Sequence, residues 1–324
     1  MKKILLFFIA SSLSTLLFAY PITPRPLRKL IMESECIVWV YVAEVGSARQ
    51  TNKNDYDWNG DFARIIIKET LQGKLNSDTI MVFFSSGMIC PAPGVFFEGE
   101  EVLAFLDKRE KKDGYIVHAL SYGVKHNLTK QDYGIYKDRI NEMQKMLQSG
   151  ETKECNENIV AWLVKCAQQK CTRWEGVYEL SPQSDFMSYY DRDQNIQRDI
   201  FLTTPQRNNL FAVLMTVDTL DYSDMPLADI VKGINDSLLL DFLKSRLALV
   251  HEEFLWPATD IMHRIVDLTG NNELETLVKK FETVYFDYTV KGKKESKKIL
   301  SDFIIKMKTI NLKKISRASG EWNA

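Results

Sequence analysis

The chain has 324 residues, 45% of them hydrophobic and 26% charged, with Lys and Arg (42) nearly balancing Asp and Glu (43). That length exceeds one ordinary compact domain and suits two, each able to bury a core of its own. A formal net charge of −1 carries no global signal for nucleic acid or for an anionic membrane, and no nucleic-acid partner is expected.

In chain order, residues 1–19, MKKILLFFIASSLSTLLFA, come first and have the three parts of a secretory signal. Lys2 and Lys3 form the charged start, residues 4–17 the apolar middle, and Leu17, Phe18 and Ala19 a small-residue exit. Cleavage is expected near Ala19, which places the mature chain in a periplasm or outside the cell. The apolar run is short for a span of about 20 residues, and Ser11, Ser12, Ser14 and Thr15 dilute it. No later segment is apolar enough to cross a bilayer.

Residues 24–122 read as β structure. After a short helix at 26–34, the segments ECIVWVYVAEV (35–45), FARIIIKET (62–70), DTIMVFFSS (78–86), EEVLAFLDK (100–108) and YIVHALSY (115–122) are rich in β-branched and aromatic residues. Turn-forming clusters separate them, PAPG and KREKKDG among them, and no crossover helix intervenes. Five strands at this spacing predict a small closed or partly closed barrel. The piece 85–106, SSGMICPAPGVFFEGEEVLAFL, reads as a cysteine-bearing loop followed by a β-hairpin turning at its glycine.

The rhythm then changes. Tyr133, Tyr136, Ile140, Met143 and Leu147 recur at helical steps, predicting an amphipathic helix able to pack across the barrel. The polar stretch 148–158 marks the domain boundary, set between residues 150 and 151. Beyond it the chain is helical almost throughout. Thr204 with Pro205 predicts an N-cap and a first-turn proline, Pro226 and Pro257 open further helices, and Gly270 ends one. Short connections between amphipathic helices imply a bundle or an irregular array of helical pairs.

Few residues suggest chemistry. The cysteines Cys36, Cys90, Cys155, Cys166 and Cys171 permit disulfides in an exported chain without requiring them, and the odd number leaves at least one thiol over. Cys90 has no cation, histidine or nearby second cysteine to activate it or to complete a metal site, so a buried thiol or half of a bridge to Cys36 is expected. Cys166 and Cys171 can pair only where the helix stops between them; Cys155 with either is equally open, as are buried thiols. Among His118, His126, His251 and His263, only His263 has a pattern, with Asp260 and Asp267 at helical spacing; a solvated ion-pair face is the ordinary outcome. Asn127, Leu128 and Thr129 match a glycosylation acceptor. No nucleophile elbow, phosphate-binding glycine loop or paired-carboxylate signature is present. No catalytic, cofactor-binding or metal-ligating set is therefore expected. Between Lys291 and Lys314 nine lysines face only Glu295 and Asp302, which suits the wet side of an amphipathic helix or, less ordinarily, an anionic surface.

Residues 26–126 resemble the OB-fold domain of secreted bacterial proteins related to netrin-like modules and tissue inhibitors of metalloproteinases. The resemblance rests on ESECIVWVYVAEV, IIIKETLQGKL and CPAPGVFFEGEEVLAFLDKREKKDGYIVHALSYGVKHNL. It implies a five-stranded barrel with Gly99 in the turn into the fourth strand and Cys90 in an inter-strand loop. Those inhibitors grip the protease zinc through a cysteine at the mature N-terminus; here Tyr20 and Pro21 would follow the cut, so the resemblance implies the fold and not that mechanism. The expectation is an α+β chain: a signal segment (1–19), an OB-like barrel with a flanking helix (20–150) and an all-α domain (151–324). It is read as an exported, non-catalytic binding or assembly protein, the alternatives being a protease inhibitor acting through barrel loops or an enzyme with an unrecognised site.

Overall fold

The computed structural model describes residues 24–47, 60–88, 92–110, 113–149, 157–181, 202–250 and 255–310. The expected signal segment, Cys90, Cys155, His251 and the 150/151 boundary lie outside the described residues. The chain separates into two compact units, one holding the described residues up to Trp162 and the other those from Leu163 onward.

The first unit opens with helix α1 (Leu27–Glu33), followed by β1 (Cys36–Ser47), β2 (Asp61–Gln72), β3 (Thr79–Phe84), β4 (Glu101–Lys108) and β5 (Tyr115–Val117). These strands pair in the order β1-β2-β3-β5-β4, and β4 returns to pair with β1. The β3–β5 pair is parallel and the others antiparallel, so the sheet is a closed five-stranded barrel of OB-like order. A two-residue strand, β6 (Val124–Lys125), adds to β4. Three register shifts along the β1–β2 ladder supply the extra bend that closing so small a barrel needs.

Side-chain alternation fixes the inside. Val38, Val40 and Val42 of β1, Ala63 and Ile65 of β2, Val82 and Phe84 of β3, and Val102, Ala104 and Leu106 of β4 share one core. The opposite face of β1 and β4 is also buried, at Ile37, Trp39, Leu103 and Phe105. Helix α2 (Lys130–Gln148) lies on this outer side. The Trp39 and Tyr133 rings stack at 4.3 Å, Tyr133 donates to Glu69 Oε2 (2.5 Å), and Lys137 Nζ lies 2.5 Å from Glu69 Oε1. Lys137, then Tyr133, holds the Glu69 carboxyl below its ordinary range. Gln144 donates to Leu71 O and the Gln72 side chain, while Gln72 donates to Ile31 O and Ser34 O, tying α1, β2 and α2 together.

Two expected strand features differ. The fifth strand stops at Val117 and does not run to 122, because Ala119 and Leu120 both adopt φ 55°, which breaks the pleat before a 3-10 turn at Leu120–Gly123. The expected hairpin at 95–106 is half formed, since β4 is a strand but residues 92–97 make no ladder.

Helix α3 (Glu157–Gln168) runs through the division between the units, and the rest of the second unit is helical: α4 (Arg173–Leu180), α5 (Thr204–Met215), α6 (Met225–Val231), α7 (Asp236–Leu247), α8 (Trp256–Thr269), α9 (Asn272–Tyr285) and α10 (Val290–Met307). Successive helices pack on one another, α5 on α6, α7 on α8, α8 on α9 and α9 on α10, as an array of helical pairs. The prolines stand in the first turns of α5, α6 and α8. The cap of α5 is Thr203, one residue before the expected Thr204. The reason is reciprocal: Thr203 Oγ1 accepts from Gln206 N, and Gln206 Oε1 accepts from Thr203 N, a pairing that needs glutamine at the third helical position. Gly270 closes α8 at φ 58°, and Asn271 caps α9.

Candidate binding site at the barrel rim

The site starts from two adjacent phenylalanines. An extended chain sends successive side chains to opposite sides. Phe96 therefore enters the barrel, 3% exposed and edge-on to Phe84 at 5.6 Å, while Phe97 points out, 60% exposed. The next residues form a tight turn: Glu100 N donates to Phe97 O, and Gly99 sits at φ 85°, the geometry of a type II turn that asks for glycine at its third position. Gly99 N donates to Val42 O and Val42 N to Glu100 O, so the turn is an extension of the β1–β4 ladder. Phe97 is thus an exposed aromatic on a rigid mount.

The second wall comes from the end of β6. His126 Nδ1 lies 3.0 and 3.1 Å from the two Glu100 carboxylate oxygens, and Asn127 N donates to Glu100 Oε1. Asn127 takes φ 55°, a left-handed conformation that asparagine tolerates, and two residues later Thr129 caps α2 in a reciprocal pairing with Asp132. The His126 ring stands 5.7 Å from that of Phe97. Together Phe97, Glu98, Gly99, Glu100, His126 and Asn127 line an open groove of about 600 Å³. Its walls offer an aromatic face and carboxylates, with no hydroxyl or thiol nucleophile. That chemistry suits recognition of a cationic group beside an apolar one.

A different polar cluster occupies the opposite end of β4. His118 Nδ1 lies 2.7 Å from Asp107 Oδ2, and its Nε2 stands 3.4 Å from Glu33 Oε2 of α1, an ion-pair distance longer than a tight hydrogen bond. Arg25 Nε meets the same Glu33 oxygen at 2.8 Å. Asp107 Oδ1 accepts from Glu35 N, and Glu35 Oε2 accepts from Lys108 N. Burial works against a charged His118, but Asp107 and then Glu33 outweigh it and raise its pKa. Beside it Cys36 is a buried free thiol, pushed up by burial and then by the Glu35 and Asp107 charges. A thiol raised in this way is held protonated, the reverse of what a nucleophile needs. The cluster ties α1 to the barrel wall.

Of the other described residues singled out in the sequence, Cys36 belongs to the first unit and Cys166, Cys171 and His263 to the second. Cys36, Cys166 and Cys171 are all in the thiol form. The helix does stop between Cys166 and Cys171, at Gln168, yet no bridge joins them. His263 Nε2 pairs with Glu282 Oε1 of α9 at 2.7 Å, on the exposed surface. Among the described residues no group of three or more His, Cys, Asp or Glu side chains is placed to hold a metal ion, and no helix is long and apolar enough to cross a membrane. Sequence reasoning missed Phe97, Glu100 and His126 as a set. The available signal was the Phe96–Phe97 pair, which strand alternation obliges to point opposite ways. Compared with known protein families, with curated proteins and with solved structures, the chain matches none.

Proposed function

We propose that this is an exported, non-catalytic binding protein whose barrel-rim groove takes a segment of another protein carrying Lys or Arg next to an aromatic or aliphatic side chain. The observation that carries the reading is Phe97, 60% exposed on a turn fixed to the β1–β4 ladder, beside the acidic Glu98 and the His126-braced Glu100. An exposed aromatic on a rigid mount gives contact area at little entropic cost when a partner covers it. Residues 1–19 and the resemblance to secreted netrin-like domains support export. Panning a phage-displayed random peptide library on the protein tests the reading. Enrichment of basic-aromatic sequences, lost with both Phe97→Ser and Glu100→Gln, supports it; no enrichment, or binding indifferent to both substitutions, contradicts it.

Inhibition of a protease is the second reading, favoured by the same displayed Phe97. It predicts that the protein slows peptide cleavage by a protease and that Phe97→Ser abolishes the effect. Normal cleavage across serine, cysteine and metalloproteases removes it.

A further inference from the structure

A second surface stands out in the helical unit, at the corner where α9 ends and α10 begins. Phe286, Tyr288 and Val290 are 70, 75 and 87% exposed, three large apolar side chains within five residues. Scattered exposed apolar residues are ordinary, but a contiguous group marks a contact surface. The lysines of α10 follow it directly in the chain. At 100° per residue, Val290, Lys291, Lys294 and Lys298 fall within about 100° of one helix face. Gly292, Ser296, Ile299 and Phe303 take the buried side. From 286 to 298 five lysines stand against Asp287 and Glu295 alone.

The corner is also fixed in shape. Thr289 Oγ1 accepts from Gly292 N, and Asp287 Oδ1 accepts from Thr289 N. Gly292 packs so closely that a Cβ there would meet Asp287 O at 2.3 Å. The aromatic tips and the first lysines are therefore presented together. Asp287 is engaged in this capping network, its carboxyl held low by the Thr289 hydrogen bonds and then by Lys291, so it stays ionised and offsets one lysine charge, and the five lysines still leave the segment net positive.

We propose that the α9–α10 corner docks on an anionic lipid surface, with Phe286, Tyr288 and Val290 entering the headgroup layer and Lys291, Lys294 and Lys298 meeting lipid phosphates. Charge complementarity argues for a negative surface, and the apolar tips argue for a bilayer over a soluble polyanion, which has no interior to receive them. Aromatic and aliphatic residues on one side with lysines around them are the features that hold interfacial helices on membranes. Each lysine brought near such a surface raises partitioning about fivefold, an effect that salt screens.

Residue-resolved lysine acetylation, read by mass spectrometry on the full chain, tests this at the corner itself, and the Phe286→Ser/Tyr288→Ser variant separates it from vesicle binding through residues 1–19. The protein is mixed with vesicles of phosphatidylcholine alone, with vesicles of equimolar phosphatidylcholine and phosphatidylglycerol, or with polyphosphate at matched phosphate content. Lys291, Lys294 and Lys298 should be modified at least about fivefold more slowly on the anionic vesicles than on the neutral ones. The exposed Lys74 of the barrel unit should be unaffected. In Phe286→Ser/Tyr288→Ser the protection should fall to less than half, with circular dichroism unchanged. Equal modification on both vesicle types overturns the proposal. So does protection by polyphosphate as strong as that by anionic vesicles, or protection that the double variant retains.

Discussion

Asp107 at the end of β4 and His118 just beyond β5 meet at 2.7 Å, holding the left-handed turn at Ala119 and Leu120 against the barrel wall while Glu33 approaches from α1. Both carboxylates favour the charged imidazole, so the folded pKa lies above the ordinary value despite burial. A raised histidine stabilises the fold fully below its unfolded value of about 6.5 and loses that contribution as pH rises through the folded value. His118→Gln should therefore lower stability by about 1–2 kcal/mol in mildly acidic urea titrations and by less than half of that in mildly alkaline ones. A loss that is equal at both ends, or larger in alkali, would be inconsistent with this pair.

Gly176 in α4 allows two backbones to touch. An added Cβ would stand 2.3 Å from Leu163 O and 2.5 Å from Ala167 N, atoms that cannot swing aside. Gly176→Ala should cost about 1–3 kcal/mol despite alanine's better helix propensity. Thermal unfolding reads this directly, and a stabilised variant would show that the approach is looser.

Arg173 and Asp224 form an ion pair with both side chains buried. Burial pushes the Asp224 carboxyl up, against the pull of its hydrogen bonds to Asp221 N and Arg173. Removing the cation alone strands a buried carboxylate, so Arg173→Met should cost about 3–5 kcal/mol. Arg173→Met/Asp224→Leu should cost less than the single substitution, a non-additivity that denaturant titrations of the three variants would reveal.

The phenylalanine pair makes a sharper contrast. Phe96→Ala empties part of the barrel core and should cost about 3–5 kcal/mol, whereas Phe97→Ala should change stability by no more than about 0.5 kcal/mol. Comparable losses at both positions would mean that Phe97 is covered in the folded protein.

The barrel could be read from sequence because its inward residues keep strict alternation: the valines at 38, 40 and 42 announce one face, and the turn glycines punctuate the strands. Gly73 and Gly99, both in the resemblance pattern, each adopt φ 85°, and Gly73 also lies so near Glu35 O that a Cβ would stand 2.5 Å away. Helix starts were legible to within a residue where a proline fixed them. What could not be read was set by contacts distant in sequence. Ala119 and Leu120 look like ordinary strand residues, and only the packing of Gly94 and Gly123 around Val117 and His118 shows why the strand must end there. The Glu100–His126 pair spans 26 positions and joins a turn to a strand end, which no local pattern announces. His263 pairs with Glu282 of α9, 19 residues on, a partner that its local spacing to Asp260 and Asp267 does not announce.

Photo-cross-linking from a basic-aromatic peptide selected on the protein tests the rim groove most directly. With the reactive group next to the peptide's aromatic residue, adducts should fall on Phe97, Glu98 and Asn127, and the yield should drop about tenfold in Phe97→Ser, the loss expected for one buried aromatic contact. Adducts on the helical unit or on the α2-covered side of the barrel, or a yield unchanged by Phe97→Ser, would contradict the account.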